Sequence, residues 1–110
     1  MARAIYWQRG DVIDYTNGSD KAIYAGAIVT LGARVGVAAT DIPAKSVGSV
    51  AVEGVYVMPK AATVDIKTGD KLYYNSTNDN IDTADSGVLV GYATADAAAA
   101  DAEVYVKLQG

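Results

Sequence analysis

The chain has 110 residues, 51% of them hydrophobic and 20% charged, with no Cys, no His and a formal net charge of −4. That length fits one packed core, and the balance of apolar to charged residues excludes intrinsic disorder. The missing Cys excludes disulfides and thiolate metal sites, and the acidic balance argues against phosphate-tracking on nucleic acid.

The N-terminal segment places Ile5, Tyr6 and Trp7 between Arg3 and Arg9. Its β-propensity is good, and it has two readings. Either Ala4–Trp7 is the first strand of the domain's own sheet, with Tyr6 or Trp7 in the core, or it adds as a strand to the exposed sheet edge of another protein. Residues 27–31 and 35–38 read as two short strands joined through Gly32-Ala33-Arg34, a spacing that predicts a hairpin. Val50 and Val52 share one parity and Val55 and Val57 the other, so Gly54 between them marks a β-bulge or a bend.

Further on, Leu72-Tyr73-Tyr74 and Ile81-Asp82-Thr83 flank the polar run 75–80, which reads as a six-residue hairpin loop whose Asn and Asp tolerate left-handed backbone angles. Residues 88–93 read as a buried strand preceded by the turn residues Asp85-Ser86-Gly87. The run Ala95–Asp101 has high helix propensity but is too short for more than a helical turn. At the C-terminus Val104, Val106 and Leu108 alternate with Glu103, Tyr105, Lys107 and Gln109, the period of a half-buried strand.

With Ala4–Trp7 included, this makes about seven or eight short strands. The expected fold is all-β: a small single-domain β-barrel or β-sandwich with an extended N-terminal arm. Residues 1–15 form the arm and first strands and 16–110 the β-rich body, one domain overall. No long internal repeat is evident.

Chemistry is sparse. Without His or Cys, the usual general base, metal ligands and thiol nucleophile are missing. Most of the thirteen carboxylates lie in predicted turns or at strand ends, where Asp serves the backbone. The oxygen-rich run Asn75–Asp82 does not match the EF-hand order, and a plain hairpin loop is the better reading. No G-x-x-x-x-G-K-[ST] phosphate loop is present. No catalytic residue, metal site or cofactor is assigned. Tyr15, Tyr24, Tyr56, Tyr73, Tyr74 and Tyr105 suit a core or an interface equally, since the ring packs while the hydroxyl stays wet. Tyr105 faces away from the core side of the last strand and is the first candidate for a subunit contact. No stretch is long and apolar enough to span a bilayer or to act as a signal peptide, so a soluble cytoplasmic product is expected.

The opening Ala2-Arg3-Ala4-Ile5-Tyr6-Trp7-Gln8-Arg9-Gly10-Asp11-Val12-Ile13-Asp14-Tyr15 resembles the start of DUF2190, a family of phage capsid cement (decoration) proteins. The similarity continues through Gly36-Val37-Ala38, Asp41-Ile42, Gly48, Val52–Tyr56 and Pro59-Lys60, then Thr68-Gly69-Asp70, Leu72-Tyr73, Gly91-Tyr92-Ala93 and the closing strand. Some members carry a RecA/RadA-type recombinase label. This chain contradicts it, because it is acidic, short and lacks the phosphate loop. The resemblance implies a non-enzymatic structural protein that binds the outer surface of an assembled bacteriophage head, often as a homotrimer, and stabilises it against internal DNA pressure. By that analogy the major capsid protein is the partner and Arg3, Ile5, Tyr6 and Trp7 are the capsid contacts. The resemblance also implies synthesis in the host bacterial cytoplasm and a place on the outer virion surface, with no nucleic acid or membrane partner. The competing reading is a binding module elsewhere on the virion, at a fibre base or on carbohydrate.

Overall fold

The computed structural model describes residues 2–108, and every regular element among them is a β-strand. In chain order these are β1 (Val12–Thr16), β2 (Ile28–Leu31), β3 (Arg34–Ala38), β4 (Val47–Ala51), β5 (Val55–Pro59), β6 (Lys71–Asn75), β7 (Asn80–Asp82), β8 (Val88–Ala93) and β9 (Glu103–Leu108). They form two antiparallel sheets, one ordered β1-β4-β3-β2 and the other β5-β9-β8-β6-β7. The fold is therefore sandwich-like rather than a single closed barrel. The second sheet curls until its two edges meet at one parallel bridge between Lys60 and Ile81.

Local patterning accounts for most strands. β9 alternates exposed and buried residues along its whole length. The β2–β3 hairpin closes on a two-residue turn, Gly32-Ala33, with Leu31 opposite Arg34. In β6–β7, Asn75 pairs with Asn80, so the loop has four residues rather than the expected six. The Asn75 side-chain oxygen Oδ1 accepts the amides of Thr77 and Asn78, and Asp79 sits at φ 53 in the left-handed region. Gly54 is at φ 118, where the chain leaves the first sheet and enters the second. It is a bend between sheets, not a bulge within one strand, and the phase slip between Val52 and Val55 is the change of sheet. The bulge lies in β8, where Leu72 faces Gly91 but Tyr73 faces Leu89, leaving Val90 as the extra residue.

The run Ala95–Asp101, too short to nucleate a helix, forms none; Ala97 is buried and exchanges both backbone hydrogen bonds with Ile66. One expectation is overturned: the chain does contain a repeat, visible in its hydrogen bonds. Ile23 and Ile42 exchange two backbone bonds as Ile66 and Ala97 do. Gly26 N–H donates to Ala38 as Gly69 N–H donates to Ala93, and the two glycines share the left-handed conformation at φ 90 and 91. Asp41 accepts the Ala25 amide as Asp96 accepts the Thr68 amide. The sheet orders β1-β4-β3-β2 and β5-β9-β8-β6 are the same topology, and β7 is extra. In register, Ile28↔Val37 corresponds to Lys71↔Tyr92, and Val12↔Ala51 to Val55↔Lys107.

Each half holds its own apolar cluster. Val29, Ala38, Ile42 and Val50 form the first, and the equivalent Leu72, Ala93, Ala97 and Val106 belong to the second. Val35 and Val37 point out of the first half and join the second cluster, with Ile28 packed beside them. That contact is what makes one folded body of two similar halves.

Only two polar residues are buried among those described, Asn17 and Lys60, and they occupy the same position in the repeat. The Asn17 amide donates to the carbonyls of Lys21, Ile42 and Pro43 at 2.8, 3.1 and 3.3 Å. The Lys60 ammonium donates to those of Ala61, Val64 and Ala99 at 2.8, 2.6 and 3.3 Å. Each plugs into the loop that leads to the bridging Ile and ties it to the loop after β3 or β8. Carbonyls turned inward by irregular backbone need a donor, and these side chains supply it.

Candidate functional site

The segment 2–9 precedes β1 and forms no strand. Ile5, Tyr6 and Trp7 are 89%, 80% and 87% exposed. The reading that made Ala4–Trp7 the first strand of the domain's own sheet, with Tyr6 or Trp7 in the core, is therefore overturned. The first strand is Val12–Thr16, which already occupies the edge beside β4. Residues 2–9 pair with none of the described strands, although β1 and β2 are the edges of their sheet. Arg9 of the segment forms an exposed ion pair with Asp11 at 3.1 Å, of the kind worth little to stability. Three large apolar side chains between two arginines are thus presented to solvent on an extended lead.

Tyr105 sits on the outer face of β9 and is 53% exposed. Its neighbours on that face extend the apolar patch: Val57 lies directly opposite on β5, with exposed Val55 two residues before it, while Tyr92 on β8 faces Lys107. The repeat provides an internal comparison. Where the second half has Val57 and Tyr105, the first has Asp14 and Ser49, which face one another across β1 and β4. The same position in the same topology is polar in one half and apolar in the other, so the fold itself does not require the patch. Sequence alternation found Tyr105; it missed Tyr92, whose strand read as buried, and it gave Val55 and Val57 a shared parity without an exposed face.

The remaining tyrosines divide. Tyr24 is exposed, Tyr15, Tyr56 and Tyr73 are half-buried, and Tyr74 is in the core. The Tyr74 hydroxyl donates to the Asp79 carboxylate. Burial first, then that hydrogen bond and the carboxylate's charge, push its pKa up to about 12. The folded pKa lies above the ordinary value of 10, so the neutral phenol's stabilisation is complete below pH 10 and is lost as pH rises toward 12. Denaturant titrations between pH 9 and pH 12 are expected to show this alkaline loss, and Tyr74→Phe to flatten it.

The carboxylates serve the backbone. Asp70 and Asp101 accept the amides of Lys67 and Ala98 within turns, and Asp82 accepts those of Thr83 and Ala84. Asp96 accepts both the amide and the hydroxyl of Thr68, which hold its pKa below the usual carboxylate range. A lowered pKa keeps Asp96 charged, the opposite of what a general acid needs. Among the described residues no group of three or more acidic side chains is placed to hold a metal ion. A cleft of about 160 Å³ lies between Ala27, Ile28 and Val37 of the first half and Tyr56–Pro59 of the second, with Asp79 at its rim.

Comparison with known proteins gives one match. A family model described as phage cement protein covers residues 7–108, that is, both halves and all nine strands, beginning at Trp7. No curated protein and no solved structure matches the chain.

Proposed function

Since the chain belongs to the phage cement protein family, whose role is structural decoration of the capsid, we propose that it binds the outer surface of the assembled head and stabilises it against the pressure of packaged DNA. The observation that carries this reading is the near-complete family match, joined to an exposed, apolar, basic lead at residues 2–9. The partner proposed is the major capsid protein, contacted by Arg3, Ile5, Tyr6 and Trp7 of an N-terminal arm spanning residues 1–15. The body, residues 16–110, is held as a homotrimer in which Tyr105 contacts a neighbouring copy. No catalytic step is proposed, and the chain is made in the host cytoplasm before it joins the virion.

The physics is linkage. A protein that binds only the assembled lattice lowers the free energy of that lattice, and an oligomer touching several capsid subunits at once holds them through effective concentration even when each contact is weak. Strand addition by the arm fits its β-propensity, since backbone hydrogen bonds supply affinity and alternate side chains, Ile5 and Trp7 on one side and Tyr6 on the other, supply specificity.

The test is co-sedimentation of the full-length protein with expanded, undecorated cognate heads. Saturable binding at a fixed number of copies per head, with a rise in the temperature at which heads release DNA, is expected. Heads that neither bind the protein nor gain stability from it would overturn the proposal.

A further inference from the structure

The repeat has one strand position that is filled in the second half and open in the first. β7 is the strand without a counterpart, and it lies along the outer side of β6, with Tyr73 opposite Asp82 and Tyr74 opposite Ile81. The Ile81 side chain is fully buried in the second cluster, and its carbonyl accepts the Ala61 amide, so β7 bridges β6 and the chain leaving β5. The equivalent edge of the first half is β2, where Thr30 stands at the position of Tyr73 and Leu31 at that of Tyr74. Among the described residues no strand pairs with its outer side.

Several features of that edge suit an added strand. The Ala38 amide donates to the Ala27 carbonyl, which sets the alternation along β2: residues 27, 29 and 31 bond toward β3, and the N–H and C=O of Thr30 point outward. Thr30 is exposed, and Leu31 is half-buried where its equivalent Tyr74 is in the core. Gly18, at the position of Ala61, is exposed as well. β2 also carries neither a charge nor a proline, the usual guards of an edge, whereas β1 has Asp14 and β5 has Pro59.

We infer that an extended segment of the capsid partner adds to β2, antiparallel to it, in the position that β7 occupies on β6. The inference rests on the proposal that the protein binds the head, and it names a second contact besides the arm. β7 sets the chemistry of the occupant, because Asn80-Ile81-Asp82 turns one aliphatic side chain inward between two half-buried polar residues. The occupant is a polar–aliphatic–polar segment whose backbone bonds Thr30 and whose aliphatic side chain covers Leu31. The arm of a second copy is a poorer match, since Ile5 is flanked by Ala4 and Tyr6.

The test is co-sedimentation of full-length wild type, Thr30→Pro and Thr30→Val with expanded, undecorated cognate heads. Proline at position 30 removes the outward N–H and leaves the bonds toward β3 in place, so its thermal melt is expected to stay close to wild type. Valine keeps the donor. Thr30→Pro is expected to weaken head binding roughly tenfold or more, and Thr30→Val to stay within about twofold of wild type. Hydrogen exchange of wild type at residues 28–31 is expected to slow on heads, a readout that decides the matter even where the proline variant melts early. Head binding by Thr30→Pro equal to wild type, or no slowing at residues 28–31 on decorated heads, would overturn this contact and leave head binding standing. A wild type that ignores heads sinks both proposals. Exchange at residues 28–31 that is already slow in the free protein, and is sped up by deleting residues 1–9, would put a second copy's arm on β2 and overturn the capsid segment as occupant.

Discussion

Replacing Asn17 with alanine is expected to cost about 3 kcal/mol of folding stability, a fall in melting temperature of roughly 10–20 °C for a domain of this size. The side chain is 1% exposed. Its amide donates to three carbonyls, and its oxygen accepts both the amide and the hydroxyl of Ser19. Alanine would remove one of the two donors at the carbonyls of Ile42 and Pro43, which keep the amides of Ile23 and Ser46, together with the bonds to Lys21 and Ser19, and would leave a cavity at a fully buried position. Asn17→Asp is expected to do no better. It keeps the acceptor but replaces the donor with a charged oxygen aimed at carbonyls. Lys60→Met, which keeps the stem and removes the ammonium, is expected to lose about 2–3 kcal/mol for the same reason. The two sites share no partner, so the losses are expected to add. Urea unfolding of the two single variants and their combination checks this. An Asn17→Ala protein within about 0.5 kcal/mol of wild type would show that water reaches those carbonyls.

Deleting residues 1–9 is expected to do the reverse, leaving stability unchanged and removing most capsid affinity. Ile5, Tyr6 and Trp7 bury nothing within the chain, so their loss leaves no cavity and no unpaired group. On a capsid, full burial of such side chains is worth about 1.5–3 kcal/mol each. Ordering a flexible lead consumes part of that, and a net of about 3 kcal/mol per arm corresponds to a fall in affinity of roughly 100-fold. Trp7→Ala alone is expected to account for at least about tenfold of it, since buried tryptophans dominate interface energetics. Tyr6→Pro tests the mode of contact: it removes one N–H, which strand addition requires and a side-chain-only contact does not. Co-sedimentation with heads reads all three. Equal binding by the truncated chain would move the capsid contact into the body.

The elements legible in the sequence are those that one strand or one turn specifies by itself. The period-two pattern of β9, the hairpin closed by Gly32-Ala33 and the polar loop between β6 and β7 depend on residues a few positions apart, and the structure has all three. Tyr105 came from the same alternation. Composition alone shows that the chain has no His and no Cys, the commonest metal-ligating and nucleophilic side chains.

Pairing between distant strands decided the rest. Whether Ala4–Trp7 becomes a strand depends on pairing with another strand, not on propensity, and the segment pairs with none of those described. Ala97 sits in a bridge because Ile66, far off in the chain, offers its backbone. The repeat left only faint marks in the sequence, chiefly Gly36, Ala38 and Asp41 against Gly91, Ala93 and Asp96. It is conserved in backbone hydrogen bonds, which most side chains permit, while surface residues in the two halves answer to different neighbours. The same reason hid Asn17 and Lys60. An amide and an ammonium look unrelated along a chain, yet both satisfy carbonyls that only the folded backbone turns inward.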